Sequence, residues 1–425
     1  MERFALSRMK EWKENENRKP LIIRGARQVG KTWIMKTFGQ QYFEKTAYVN
    51  FDNNARMKQV FEGDLDIERL VLAISAETGV SIEAENTLII FDEIQEVPKA
   101  LTSLKYFHEN APQYAIVAAG SLLGVALHQG TSFPVGKVDF LDLYPLNFRE
   151  FLCAMGEKQF VSMLDSCDTQ MVTVFKTKYI ERLREYYFVG GMPEVVKDFS
   201  EKKDYNRVRA IQKNLINYYQ QDFSKHAEIK LVPRLNLVWN SIPMQLAKEN
   251  KKYIYGQVRE GSRAKDFELA IQWLLDCGLI HKVQRIQKPD LPLKAYIDFD
   301  AFKLFLVDIG LLIAMTDLDA KVIIEGNKIF TEFKGSLTEQ YILQQLISDV
   351  GVIPYYYSTQ NSKGEIDFLV QGKTSVIPIE VKAEENLKAK SLKAFCEKYQ
   401  PSYAVRTSMS DYREQDWMTN IPLYA

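Results

Sequence analysis

The chain has little of what would tie it to an oxidising compartment, a membrane or a polyelectrolyte. Its 425 residues include four cysteines, Cys153, Cys167, Cys277 and Cys396, scattered and without a Cys-x-x-Cys pair. That pattern excludes a disulfide framework and makes a thiolate zinc site a poor fit; the thiols read as reduced. Neither charge is in surplus, since Lys+Arg and Asp+Glu both number 55. No global field draws the protein to nucleic acid or lipid, so any such partner must be met by a local patch. Long apolar runs are missing too. The greasiest stretch, Leu304 to Met315, is broken by Asp308 and is too short to span a bilayer. Arg3, Arg8, Lys10 and Lys13 near the start are not followed by the apolar core of a signal peptide. There is no internal repeat and no low-complexity linker. A cytoplasmic protein with no membrane partner is expected.

The 46% apolar and 26% charged residues are ordinary for a globular protein. The length predicts about two to four domains, with apolar material for several cores.

The most telling stretch is Gly25-Ala26-Arg27-Gln28-Val29-Gly30-Lys31-Thr32, which fits G-x-x-x-x-G-K-[ST] at every fixed position. The apolar run Leu21-Ile22-Ile23 before it reads as a buried strand, and Trp33 to Phe38 after it can begin a helix. Strand, glycine loop and helix present backbone N–H groups and a positive helix end to an anion. In that arrangement Lys31 reaches the β- and γ-phosphates of ATP and the Thr32 hydroxyl ligates Mg²⁺. Gly25 and Gly30 supply backbone angles and close approach that a Cβ would forbid.

A second motif follows. Thr87-Leu88-Ile89-Ile90-Phe91-Asp92-Glu93 is an apolar strand ending in two carboxylates, similar to a Walker B strand. Asp92 is expected to hold Mg²⁺ at the carboxyl edge of the sheet, where ligands of open α/β sheets sit. Glu93 is expected to polarise the attacking water. Further strands are read at Ala47–Phe51, Tyr114–Ser121 and Lys137–Leu141. Ser121, at the end of the fourth strand, is either a γ-phosphate sensor or a small strand terminator. The alternation of strands and helices predicts a parallel sheet covered on both faces.

Beyond Asn147 the pattern turns helical as far as about His226, with a sharp break at Gly190-Gly191-Met192-Pro193. A helical lid after a five-stranded nucleotide core is the layout of an AAA-type ATPase. Helix candidates at Arg234–Leu246 and Asp266–Cys277, a stop at Gly278 and a short strand Leu279–Val283 give the layout of a winged helix. From Lys248 to Lys265 six basic residues (Lys248, Lys251, Lys252, Arg259, Arg263, Lys265) stand against Glu249 and Glu260; Lys282, Arg285, Lys288 and Lys294 follow. Such clusters suit DNA phosphates, and equally a solvated protein-binding face.

The last hundred residues hold a second constellation. Glu339 sits in a helix candidate, Leu337–Ile347, followed by strand candidates carrying Asp367 and the pair Glu380 and Lys382. Alternation places Glu380 and Lys382 on one strand face, with Asp367 on a neighbouring strand pointing to the same spot. Two carboxylates brought together repel unless a cation or proton lies between them. One lysine offsets only part of that charge, so Asp367 and Glu380 are expected to bind a divalent metal able to activate water against a phosphodiester, with Lys382 beside it and Glu339 close by.

These segments together resemble the prokaryotic AAA-type ATPases that carry an uncharacterised C-terminal domain. The resemblance rests on Gly25–Thr32, Phe91–Gln95, Gly120–Gly124, Tyr144–Phe151, Gly190–Glu194, Glu365–Phe368 and Ile379–Lys382, and so spans nearly the whole chain. The tail is similar to PD-(D/E)xK restriction-like nucleases. One departure is Lys137, where such proteins often have Arg, so an arginine contact to nucleotide or a neighbouring subunit is not expected at that position.

The fold class expected is α/β: a P-loop AAA-type core at 1–150, a helical lid at 151–228, a winged-helix-like domain at 229–320 and a nuclease-like α/β domain at 321–425. The function expected is ATP binding and hydrolysis, with Glu93 and Lys31 in the chemistry, coupled to a DNA-directed tail. The alternative is a nucleotide-dependent switch or scaffold whose tail is inactive and binds protein. A metabolic kinase is disfavoured by the extra domains. An oligomer is compatible with either reading.

Overall fold

The computed structural model describes residues 2–120, 133–248, 251–324, 331–359, 364–384 and 389–425. The chain forms two compact units: residues 2–144 with 276–278, and residues 145–275 with 279–425.

The first unit is built on five parallel strands, β1 Leu21–Arg24, β2 Lys45–Asn50, β3 Thr87–Asp92, β4 Ala115–Ala119 and β5 Asp139–Asp142, in the order β2-β3-β4-β1-β5. β1 lies between two partners: Ile22 stands opposite Ala118 of β4 and Phe140 of β5. Every residue of β3 and β4 is buried, as expected of strands covered on both faces. Phe51, Phe61 and Phe91 meet edge to face, their centroids 5.4–5.7 Å apart, under the helices that cover one face. Each such pair contributes about 0.5–1.5 kcal/mol beyond its area. The last strand begins two residues later than the sequence pattern places it. The backbone N–H of Lys137 closes a turn onto Pro134 O at 3.0 Å, and the Lys137 side chain pairs with Glu109 at 2.9 Å.

The second unit starts with helices Phe148–Ala154, Lys158–Asp165, Thr169–Val174, Lys176–Val189, Pro193–Lys202 and Tyr205–His226. The first has a capping box: Asn147 Oδ1 accepts from Glu150 N at 2.8 Å, and Glu150 Oε2 accepts from Asn147 N. The break at Gly190-Gly191 follows from crowding. A Cβ on Gly191 would lie 2.1 Å from Leu146 O, and one on Gly190, at φ +73°, would lie 2.2 Å from Asp308 Oδ1. Asp308 is fully buried; its Oδ2 accepts from Gly191 N at 2.6 Å, and its Oδ1 caps the helix Ile309–Met315 through Leu311 N at 3.0 Å. Pro193 then opens the next helix with a fixed φ.

Helices Val232–Leu246 and Ala264–Asp276 lead to an antiparallel pair, β6 Ile280–Ile286 and β7 Ile297–Leu306. Helix Thr331–Gln345 follows, then β8 Tyr355–Ser358, β9 Glu365–Gln371, β10 Val376–Val381, helix Lys390–Tyr399, β11 Val405–Ser408, β12 Arg413–Gln415 and β13 Met418–Pro422. These strands make one mixed eight-stranded sheet in the order β12-β13-β11-β10-β9-β8-β6-β7. The strand read as part of a wing, β6, pairs in parallel with β8, Arg285 opposite Tyr356. One sheet therefore runs across position 320, where the sequence reading sets a domain boundary. Among the described residues no helix is long and apolar enough to cross a membrane.

Candidate functional site

In the first unit the strand–loop–helix order places the phosphate-loop residues at the carboxyl end of β1. Gly25 has φ +139°, and a Cβ there would sit 2.1 Å from the carbonyl oxygen of Leu143. Gly30, at φ +95°, is the N-cap of helix Lys31–Tyr42. Gln28 also takes a left-handed conformation, φ +64°. The loop is fastened from outside by Arg3, a buried residue that in the sequence is one more basic group near the start. Its guanidinium donates to Val29 O at 3.0 Å and to Tyr144 O at 2.6 Å.

Lys31 turns into the loop, its Nζ donating to Gly25 O at 2.8 Å and Ala26 O at 2.7 Å. Burial lowers its pKa to about 8, against the pull of the nearby Glu93 and Asp92 carboxylates. Thr32 Oγ1 donates to Asp92 Oδ2 at 2.7 Å. The same oxygen accepts from Tyr48 OH at 2.9 Å, and Asp92 Oδ1 accepts from Glu93 N at 3.1 Å. Tyr48, on β2 beside β3, has no motif to announce it. Burial and the Asp92 charge push its phenol above the ordinary value, and Lys36 Nζ lies 3.8 Å from its ring centre. A hydroxyl and a carboxylate side by side are hard oxygen donors and fit Mg²⁺.

Glu93 sits in a left-handed turn, φ +50°, directly after the strand, and Gln95 Nε2 donates to its Oε2 at 2.7 Å. The carboxylate is thereby held at the sheet edge, partly open to solvent. The loop residues Gly25 to Thr32 and the acidic pair Asp92 and Glu93 are thus gathered at one edge of the sheet. Ser121 lies outside the described residues.

In the second unit, Asp367 on β9 stands one step beyond the register pair Phe368 and Ile379, opposite Glu380 on β10, and its Oδ2 accepts from Val381 N at 2.7 Å. Lys382 Nζ meets Glu380 Oε1 at 2.6 Å. Glu339, from helix Thr331–Gln345, lies buried nearby. The structure also brings in two lysines that the sequence reading does not place here. Lys251 pairs with Glu339 Oε1. Lys303, fully buried on β7, meets Glu365 Oε1 at 2.5 Å and Glu339 Oε2 at 3.6 Å. Burial, with Glu339 and Glu380 close by, raises the Asp367 carboxyl well above the usual carboxylate range. Burial would raise Glu339 as well, but Lys251 and Lys303 hold it below that range.

These lysines change the expected charge balance. The sequence reading sets one lysine against the carboxylates and infers a metal, whereas three ammonium groups already face them. Among the described residues no group of three or more His, Cys, Asp or Glu is arranged to hold a metal ion. Two carboxylate oxygens nevertheless stay buried without a hydrogen-bond partner, Glu339 Oε2 and Glu380 Oε2.

The basic cluster of the middle region is partly spent in the same way. Lys251 is taken by Glu339; further on, Arg285 pairs with Asp298, Lys288 with Asp290 at 2.7 Å, and Lys282 packs 4.3 Å from the Phe302 ring centre.

Comparison with known proteins agrees with the geometry of the first unit. Residues 17–152 match the family model described as AAA domain. Residues 180–322 and 334–425 match two domains of unknown function, DUF8612 and DUF4143. Residues 17–152 are thus similar to the AAA domain family. Among solved structures, the Walker-type ATPase PABY2304 of Pyrococcus abyssi aligns at 14% identity and a TM-score of 0.45, covering 74% of this chain and 95% of that one. No curated protein matches.

Proposed function

We propose that this protein binds ATP with Mg²⁺ and hydrolyses it in its first unit. The observation that carries this reading is the 2.7 Å hydrogen bond from Thr32 to Asp92, which sets the two Mg²⁺-directed oxygens side by side next to a lysine aimed into the loop. The loop N–H groups and the start of helix Lys31–Tyr42 receive the phosphates, and Lys31 offsets the charge of the β- and γ-groups. Thr32 and Asp92 would hold Mg²⁺, which would supply charge neutralisation for the phosphates. Glu93, fixed by Gln95, orients a water and takes its proton as the oxygen attacks the γ-phosphorus. The bond to the β–γ bridging oxygen breaks, giving ADP and phosphate. The test is phosphate release by the parent and by Lys31→Ala: loss of both nucleotide binding and turnover supports the assignment, and a variant that binds ATP like the parent refutes it.

A finer reading couples the nucleotide state to the second unit as a DNA-directed, nuclease-like module. It is favoured by Asp367, Glu380 and Lys382 meeting at one spot, and by the orphaned oxygen of Glu380. Divalent-dependent nicking that disappears in Asp367→Ala while ATP turnover persists would support it. The competing scaffold reading, in which the tail is inactive and binds protein, is favoured by the three lysines already set against the carboxylates. It predicts no cutting across a broad DNA panel. DNA binding itself is read through salt: neutralising Lys248, Arg259 and Arg263 should flatten the salt slope by about one unit for each phosphate deprived of its cation.

A further inference from the structure

The carboxylate cluster of the second unit contains more than an acidic patch. Its components are Glu339, Glu365, Asp367 and Glu380, faced by Lys251, Lys303 and Lys382. The lysines are not equivalent. Lys303 is fully buried on β7 and bridges Glu365 and Glu339. Lys382 lies just past the end of β10, pairs with Glu380 and is about a third exposed. Lys251 comes from elsewhere, the segment between helices Val232–Leu246 and Tyr255–Val258, and reaches Glu339 across 88 residues of sequence. It belongs to none of the strands or helices that carry the carboxylates.

The site is also incomplete as a set of hydrogen bonds. Glu339 and Glu380 are each more than nine-tenths buried, and each has one oxygen with no hydrogen-bond partner. Glu339 Oε2 still has the Lys303 ammonium 3.6 Å away, whereas Glu380 Oε2 has no partner; a buried carboxylate oxygen left unpaired is costly, and cations satisfy such oxygens best. With the Lys251 ammonium seated on Glu339, however, a divalent ion approaching that carboxylate meets a positive charge already in place.

We infer that Lys251 is an internal competitor for a divalent cation: its ammonium occupies Oε1 of Glu339 and repels an ion approaching that carboxylate, and the tail site takes metal only when Lys251 withdraws. This rests on the reading of Asp367 and Glu380 as cation ligands. It adds that the site is closed by a residue outside the tail, so that the fold is held together there without metal.

The experiment measures Mn²⁺ binding by electron paramagnetic resonance on the full chain without nucleotide. It is done in a Lys31→Ala, Asp92→Asn background that silences the first unit. Lys251→Met in that background should tighten Mn²⁺ binding by about tenfold or more. Mn²⁺ should also raise the melting temperature of the Lys251→Met chain more than that of its parent, since the ion replaces a lost neutralising charge. Lys251→Gln, which keeps a hydrogen-bond donor in place, gives the same comparison if the methionine variant does not fold. Equal Mn²⁺ affinity with Lys251 present and absent overturns the inference. Adding Glu380→Gln separates the two ideas. If tightened binding survives that change, the ion lies elsewhere, and the reading of the tail carboxylates as ligands fails with it. If tightened binding is lost, both stand.

Discussion

Thr32 Oγ1 and Asp92 Oδ2 lie 2.7 Å apart in a hydrogen bond that joins the first turn of the helix after the phosphate loop to the end of β3. The residues are sixty positions apart in sequence, and the parallel register of β1, β4 and β3 brings them together. Tyr48 buttresses the same carboxylate oxygen from β2. The Asp92 carboxylate is thus fixed by hydroxyls from a helix and from a neighbouring strand.

If Lys31 holds the phosphates as proposed, nucleotide affinity should depend on pH. Its pKa is lowered to about 8 by burial, and the protonated form is the one that attracts phosphate. ATP affinity should therefore be level below neutral pH and fall as pH rises through about 8. Lys31→Arg, which stays charged, should flatten that fall in a titration with a fluorescent nucleotide. A parent whose affinity is constant from about pH 7 to 9 would contradict the burial argument.

Glu93→Gln should leave ATP binding near the parent value and slow hydrolysis by roughly a hundredfold or more, the scale of general-base effects. Gln95→Ala, which removes the 2.7 Å donor to Glu93, should give a smaller loss of turnover with unchanged binding. Binding by calorimetry and turnover by phosphate release separate the two; parent-like turnover in Glu93→Gln rules this residue out as the base.

Gly25→Ala combines an unfavourable φ with a Cβ 2.1 Å from a backbone oxygen. A backbone atom cannot swing aside as a side chain does, so the loop must shift. The expected cost is about 2 kcal/mol or more, with loss of nucleotide binding in whatever folded protein remains. Thermal unfolding and nucleotide titration check both parts, and a variant matching the parent in each would show that the loop tolerates a Cβ.

Asp308→Asn leaves one of two buried backbone donors, Gly191 N and Leu311 N, facing an amide NH₂ instead of an acceptor. Stability should drop by about 1–3 kcal/mol. Burial raises the Asp308 carboxyl to about 6, above its value in the unfolded chain. Its folded form thus binds the proton more tightly, and that contribution is full at low pH and lost as pH rises through about 6. The gap between parent and variant should therefore widen on acidification from about pH 7 to pH 5. Denaturant midpoints at the two pH values decide it; a gap that narrows reverses the sign.

The first unit was legible because its two motifs are local. Eight consecutive residues fix the loop, and an apolar run ending in Asp92 and Glu93 fixes the strand. What was not legible is contributed from afar by residues with no pattern: Arg3 on Val29, Tyr48 on Asp92, Lys251 and Lys303 on Glu339. A lysine inside a strand such as β7 reads as a solvent-facing position, and only the fold shows Lys303 fully buried. The helix–strand order after residue 230 resembled a winged helix because that unit too is helix, stop and strand pair. The parallel pairing of β6 with β8 depends on partners about seventy residues apart, which local periodicity does not encode.

That pairing bears on how such a chain can change over generations. A recombination event between β7 and β8 would give two pieces, each with a bare strand edge where Arg285 and Ile286 now meet Tyr356 and Tyr357. Bare edges invite aggregation instead of productive exchange. The stretch from β6 to the end of the chain should therefore be inherited as a block. Divergence within it should come from point substitution and loop growth, with tail swapping between lineages disfavoured from the start.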